Sequence, residues 1–247
     1  RQDIDLANNL KDCGKPLLLS DIVKDVEYVK LETQDSILVG DIKQPKRTEK
    51  FVFIYSRNQN HVMMFDTSGK FIRKIGRVGQ GPGEIANIDF FTVSDNLVFI
   101  YPFSRNGSLT VYDMRDNSFV KEIPLKWPVF FSRAIDVMGD CLVYYPGTVY
   151  SPDNSKTFIS ACVANGEGET LMEQIPYLSS SDKKILQLSS DPSWLYRGRS
   201  NVYSFINDTI YGITCDSIFP RYHLSLGKYK LPSGRYDPTH AVSYTHL

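Results

Sequence analysis

The sequence predicts an all-β fold of the β-propeller type, because short strand-like runs recur along the chain at a fixed spacing. Three such runs, Val52–Tyr55, His61–Asp66 and Lys70–Ile75, are separated by turns rich in Asn, Asp, Ser and Gly. The first run, VFIY, returns as Val98–Tyr101 (98 − 52 = 46), and LVYY follows as Leu142–Tyr145 (142 − 98 = 44). Repeats of about 40–50 residues built from short strands are typical of propellers, in which each repeat forms one four-stranded blade.

Two shorter matches support the same period. Ser104–Asn106 repeats the Ser-Arg-Asn of Ser56–Asn58 (104 − 56 = 48), and Tyr112-Asp113 repeats the pattern of Phe65-Asp66 (112 − 65 = 47). Equivalent loops and strand ends therefore recur in successive blades.

Taken in order, the chain divides into end segments and blades. Residues 1–2 and 242–247 resemble translated adapter sequence, and residues 3–35 form an N-terminal segment whose Val26–Leu31 region alternates as a ring-closing strand. Residues 36–241 form a partial propeller, with Ser36–Lys43 as the first strand of its first blade. The blades lie near 36–76, 88–123, 130–176 and 200–241, and the stretches 146–156 and 177–200 lack the strand pattern. About four blades leave an open strand edge, which predicts a truncated ring.

The composition excludes several classes of function. Lys plus Arg and Asp plus Glu each number 28, so the chain lacks the basic excess that nucleic-acid binding requires. No apolar run approaches the length of a membrane helix. The sequence indicates no cofactor, because no phosphate-loop or paired-histidine motif is present.

The four cysteines, Cys13, Cys141, Cys162 and Cys215, form no C-x-x-C pair. If Asp140–Tyr145 and Thr157–Val163 are adjacent antiparallel strands, Cys162 falls one position from the partner of Cys141. A Cys141–Cys162 disulfide and two unbridged, buried cysteines both remain open at this point.

The glycine-rich run from Ile72 to Glu84 resembles the blade junction of NHL-type and TolB-like repeats. More closely, the chain resembles a secreted six-bladed β-propeller family of Bacteroidales over residues 17–232. The matching segments occur in the family's order: Leu19–Val23, Tyr28–Thr33, Asn207–Tyr211, Pro220–Tyr222 and Leu226–Lys228. The resemblance implies a six-bladed ring with two blades missing here. It also implies an exported protein, lipid-anchored at an N-terminus missing from this chain, and no defined biochemical role.

Loops at one mouth of the ring are the expected binding surface, because loops on a rigid scaffold commonly carry function. Arginine there would present a planar donor fork to an anionic or sugar ligand. The residues expected on this loop face are Arg57, Asn58, Arg77, Gln80, Glu84, Arg105, Asn106 and Tyr145. For the glycine cluster itself the sequence favours a tight turn over a phosphate loop, because Pro82 lies inside it and the Gly-Lys-Ser/Thr ending is absent.

Two main function classes follow, beside a purely structural spacer domain. The first is an exported, non-enzymatic binding module for a protein, peptide or glycan. The alternative is a metal-dependent hydrolase or lyase with a site in the central channel. Asp89 and Asp136, one blade period apart (136 − 89 = 47), are the candidate ligands for that metal, although the sequence favours a strand-end turn at both positions.

Overall fold

The computed structural model describes residues 1–9, 16–35, 37, 39–40, 42–56, 61–102, 107–127, 129, 135–150, 156–174, 193–204 and 208–229. Strands dominate this part of the chain, and its helices are limited to single turns: α1 (Leu6–Asn9), α2 (Leu19–Ile22) and a 3₁₀ turn at Gly227–Tyr229. The chain separates into two compact units. The first unit comprises Pro16–Lys126 with Gly166–Glu169, and the second comprises Arg1–Lys15, Trp127–Asn165 and Thr170–Leu247.

The strands follow one another in hairpins, as the repeat predicts. A single strand, β1 (Gln2–Asp5), precedes those of the first unit. The first unit contains β2 (Ile42–Arg47), β3 (Phe51–Ser56), β4 (His61–Asp66), β5 (Phe71–Ile75), β6 (Ile88–Ser94), β7 (Leu97–Pro102), β8 (Ser108–Asp113) and β9 (Phe119–Pro124). They form two four-stranded antiparallel sheets, ordered β2-β3-β4-β5 and β6-β7-β8-β9.

The second unit contains two further sheets and a short hairpin. Its strands are β10 (Ile135–Met138), β11 (Cys141–Tyr144), β12 (Gly147–Tyr150), β13 (Lys156–Ile159), β14 (Ala161–Asn165), β15 (Thr170–Gln174), β16 (Ser193–Tyr196), β17 (Arg199–Ser204), β18 (Thr209–Ile213) and β19 (Ile218–Ser225). The sheets are ordered β10-β11-β14-β15 and β1-β19-β18-β17-β16, with β12 and β13 pairing apart from them. Because each sheet runs strand by strand in chain order, these sheets are the blades of a β-propeller.

The core of the first unit explains why the VFIY repeat is apolar on both faces. Phe53 and Tyr55 on β3 join Val98 and Ile100 on β7 in one buried cluster between the two sheets. Ile54, which points the other way, packs with Met63, Phe65 and Ile37 in a second cluster. A strand buried on both faces reads as a continuous apolar run rather than an alternating one.

The second unit repeats this arrangement and adds a disulfide. Val143 and Tyr145 pack with Val163, Val202 and Ile213 in a core shared by its two sheets.

The disulfide joins Cys141 to Cys215 across 74 residues, with the two Cα atoms 5.7 Å apart. The Cys141–Cys162 pair and the alternative of an unbridged Cys141 are therefore both wrong, and Cys162 is buried and takes no part in this disulfide. The register explains the error. Cys162 lies opposite Tyr144, and Asn165 lies opposite Cys141, so the two cysteines point to opposite faces of the sheet.

The N-terminal segment differs most from the sequence prediction. No strand covers Val26–Leu31, and the first strand of the first blade is Ile42–Arg47 rather than 36–43. The segment instead runs against the turn between β4 and β5: Glu32 N–H donates to Gly69 O at 2.8 Å, and Phe71 N–H donates to the Glu32 carboxylate at 2.9 Å. Strand β1 pairs in parallel with β19.

Candidate functional site

The glycine loop, residues 76–87, connects β5 to β6 and has a defined internal structure. Ile85 N–H donates to Arg77 O at 2.7 Å, and Gly79 N–H donates to Ile85 O at 3.3 Å, so the two ends of the loop lie side by side. Glu84 N–H closes the tip by donating to Gly81 O at 2.9 Å. These bonds hold the loop as a compact turn, which agrees with the turn reading of the glycine cluster.

Two side chains from the next blade fasten this loop to the scaffold. The Tyr112 hydroxyl accepts the N–H of Arg77 at 3.2 Å and donates to Gly83 O. Asn117 Oδ1 accepts the N–H of Gly76 at 2.9 Å. Tyr112 is completely buried, and this burial raises the pKa of its hydroxyl, which stays protonated and able to donate. The loop is therefore a rigid feature of the surface.

Glu84 serves the loop itself rather than an external ligand. Its carboxylate accepts the N–H of Gly81 at 2.9 Å and occupies the space into which a side chain at Gly79 would project. The other exposed side chains on the loop are those of Arg77, Val78, Gln80, Pro82, Ala86 and Asn87. Two of the predicted binding residues, Arg77 and Gln80, are thus available to a ligand, and Glu84 is exposed but folded back.

Four other predicted loop-face residues, Arg57, Asn58, Arg105 and Asn106, lie outside the described residues. Their contribution to a common surface remains a prediction. Tyr145 belongs elsewhere: it is completely buried, so its placement on a ligand-binding rim is wrong. The sequence placed it there because it ends a strand run, but its side chain points into the core of the second unit.

Tyr145 takes part in a buried polar network with Asp136 and Ser200. The Ser200 hydroxyl donates to Asp136 Oδ2, and the Tyr145 hydroxyl lies 3.4 Å from the same oxygen and contacts Ser200 Oγ. Desolvation raises the pKa of Tyr145, and the negative charge of Asp136 adds to this effect. The network links β10 to β17, so it joins two sheets of one unit, and Asp136 uses its carboxylate for hydroxyl hydrogen bonds.

The metal hypothesis gains no support from this arrangement. Asp136 is 7% exposed and engaged by two hydroxyls, and Asp89 is half-buried on β6, where its backbone carbonyl accepts from Gln44 at 3.3 Å. Within the described residues, no group of three or more His, Cys, Asp or Glu side chains is placed to hold a metal ion. No helix in the same residues is long and apolar enough to cross a bilayer.

Sequence reasoning missed the residues that build these features. Tyr112 was visible as part of the Tyr-Asp repeat, but nothing in one sequence shows that its hydroxyl reaches across to the preceding loop. Ser200 and Cys215 come close to Asp136 and Cys141 only through the packing of adjacent blades. The 46-residue period predicts which segments form neighbouring blades, but it does not predict the side-chain contacts between them.

A family model for a domain of unknown function, DUF4934, matches residues 1–245. The chain belongs to the DUF4934 family. The comparison with curated proteins finds no match.

Several solved structures are similar to this chain, to different degrees. The "Putative exported protein" of Bacteroides fragilis is 20% identical with a TM-score of 0.62, over 81% of this chain and 55% of its own. The chain therefore spans about half the length of that protein. BamB from Moraxella catarrhalis is 17% identical with a TM-score of 0.38, over 71% of this chain and 48% of its own. Hsv2p of Kluyveromyces lactis is 12% identical with a TM-score of 0.44, over 73% of this chain and 51% of its own.

Proposed function

We propose that this DUF4934 chain is part of an exported six-bladed β-propeller that binds a protein, peptide or glycan and catalyses no reaction. The glycine loop is the binding element. The observation that carries this proposal is its construction: a backbone fixed by Tyr112 and Asn117, with Arg77 and Gln80 exposed above it. A fixed loop loses little conformational entropy when a ligand binds, which favours affinity.

Export is supported by the disulfide between Cys141 and Cys215. Structural disulfides form and persist in oxidising compartments and are rare in the cytosol. The Bacteroides fragilis neighbour, described as exported, has the same fold. A lipid anchor in the full-length protein is part of the proposal and follows from the resemblance to secreted Bacteroidales propellers.

The partial ring is supported by two apolar surfaces, one in each unit. In the first unit, Leu17, Leu18, Leu19 and Ile22 are between 59% and 71% exposed. In the second unit, Trp194 and Tyr196, which share one face of β16, are 42% and 49% exposed. Exposed apolar patches of this kind commonly mark a contact surface, and a propeller that lacks two blades leaves blade surfaces uncovered.

The binding site can be tested with the full-length gene product on an array of soluble glycans and peptides. The variant Arg77→Ala/Gln80→Ala removes the two exposed loop side chains that are proposed to contact the ligand. Arg47→Ala is the matched control, because it removes an exposed arginine of the same unit. Among the described residues, the ion pair of Arg47 is with the exposed Glu27.

We expect wild type and Arg47→Ala to bind the same ligand, and the loop variant to bind it at least about tenfold more weakly, equivalent to about 1.4 kcal/mol. An array on which nothing binds, or equal binding by the loop variant, would contradict the proposal.

A further inference from the structure

The sheet of strands β16–β19 has one face in the core of the second unit and, among the described residues, one face outside that core, called the open face. Val202 and Ile213 point into the core, and so do their cross-strand neighbours Tyr211 and Ser200, so the alternate residues of each strand lie on the open face. A register shift between β18 and β19 pairs Tyr222 with Ile210 and leaves Arg221 as the extra residue. The open face includes Trp194, Tyr196, Arg199, Asn201, Tyr203, Ile210, Phe219 and Tyr222, with Arg197 and Arg221 beside them. Gly212 lies at its centre, where a side chain would collide with the ring of Phe219, 2.9 Å away, and with Arg199.

The open face combines aromatic rings with arginine. The guanidinium carbons of Arg197, Arg199 and Arg221 lie 5.2, 5.4 and 4.9 Å from the ring centres of Tyr196, Phe219 and Tyr222. These distances are within the range of cation–π contacts, which attract a guanidinium to a ring face while its N–H groups can still donate hydrogen bonds.

These arginines carry unused hydrogen-bonding and charge capacity. Among the described side chains, none of the three forms an ion pair. Arg221 donates to Asn201 Oδ1 at 2.9 Å, whereas Arg199 Nε is buried and has no hydrogen-bond partner in the described part of the chain. Three guanidinium groups without a described ion pair give the face a positive charge, which suits it to a partner that brings carboxylates to it.

The shape and charge of the face decide between partners. A flat sheet four strands wide fits another sheet, and the first unit shows that packing, with the apolar faces of its two blades meeting in one core. A second copy of this face is disfavoured because its arginines would meet like charges. The Bacteroides fragilis structure has the same fold, and this chain aligns with only 55% of its length.

We propose that the open face docks a further blade of the same protein, and that this blade carries Asp or Glu side chains opposite Arg199 and Arg221. The inference rests on the proposed partial ring, and it adds the docking surface and the chemistry that recognises it. It does not depend on the glycine loop or on any ligand.

Trp194 reports on docking directly. The chain contains two tryptophans, so Trp127→Phe leaves Trp194 as its sole fluorescent tryptophan. Acrylamide quenching is then compared between the 247-residue chain and the full-length gene product, both carrying Trp127→Phe and the latter also carrying Phe at any tryptophan outside these 247 residues. We expect quenching to fall several-fold in the full-length protein. Equal quenching in the two proteins, or a gene that encodes no further strands, would overturn the inference.

Charge reversal tests the acidic complement. Arg199→Glu and Lys50→Glu, an exposed control in the first unit, are each compared in the full-length protein and in the 247-residue chain. Loss of the contact between Arg199 and Phe219 lowers the melting temperature in both proteins, so the test is the extra loss in the full-length protein. We expect that extra loss to be several degrees for Arg199→Glu and absent for Lys50→Glu. An equal loss for Arg199→Glu in the two proteins would overturn the acidic complement.

Sedimentation gives a further control. A concentration-dependent dimer of the 247-residue chain that protects Trp194 would assign the face to a second copy and overturn the inference. The full-length protein could bind a ligand through the glycine loop while Trp194 remains exposed. That result would overturn the docking inference but not the proposed binding function.

Discussion

Removal of the Cys141–Cys215 disulfide should destabilise the second unit strongly. The bond closes a loop of 74 residues between adjacent blades. The chain-entropy model gives about 4 kcal/mol for a loop of this length, at the upper end of the typical range. At roughly 2–4 °C per kcal/mol for a domain of this size, the melting temperature should fall by about 10 °C.

The assay is calorimetry of wild type, Cys141→Ser/Cys215→Ser and the control Cys162→Ser, each with and without dithiothreitol. Cys215 is exposed, so the reductant can reach the bond, whereas Cys162 is buried and unbridged. Wild type and Cys162→Ser should lose stability on reduction, and the double variant should be insensitive to it. Intact-mass analysis after thiol labelling should show two more modified cysteines once wild type is reduced. A wild-type melting temperature that reduction leaves unchanged would refute the reasoning.

Three further predictions concern the first unit. Gly69→Ala should lower the free energy of unfolding in urea by about 2 kcal/mol more than Gly139→Ala. Both glycines have positive φ, but only a side chain at Gly69 would collide with the Lys30 carbonyl. Equal losses in the two variants would contradict this. Tyr112→Phe should lower the free energy of unfolding by about 1–3 kcal/mol, because it leaves the Arg77 N–H and the Gly83 carbonyl without their partner. An unchanged rate of amide exchange at Arg77 would contradict this prediction. Burial, and secondarily Lys74, lowers the pKa of His61, so its contribution to stability is complete above about pH 6.5 and is lost as the pH falls. His61→Gln should flatten the dependence of unfolding free energy on pH between 8 and 5; an identical slope would contradict the assignment.

The repeat predicted the blades well because local patterning determines strands that are buried on both faces. Strand β4 was predicted at His61–Asp66, where it is found, and the predicted run Val98–Tyr101 lies within β7. The prediction failed where tertiary contacts replace local pattern. The Val26–Leu31 region alternates like a strand, but the adjacent Glu32 and Lys30 are engaged by the Gly69 turn instead.

The candidate site was less predictable than the fold for the same reason. Arg77 and Gln80 were found because loop polarity is visible in the sequence. Tyr145 was misplaced because the sequence does not show whether a tyrosine at the end of an apolar run is exposed or buried. Only the strand register shows that Tyr145 is buried. The Cys141–Cys215 pairing required the packing of two blades 74 residues apart, which no local pattern encodes.

Metal binding by the full-length gene product separates the two function classes most directly. The purified protein is incubated with divalent cations, and metal content after gel filtration is read together with thermal shift. Asp136→Asn serves as the comparison because it alters the channel-metal candidate. A binding module predicts no stoichiometric ion and no metal-dependent rise in melting temperature. One tightly held ion per chain that raises the melting temperature of wild type but not of Asp136→Asn would contradict the account and establish a metal site at Asp136.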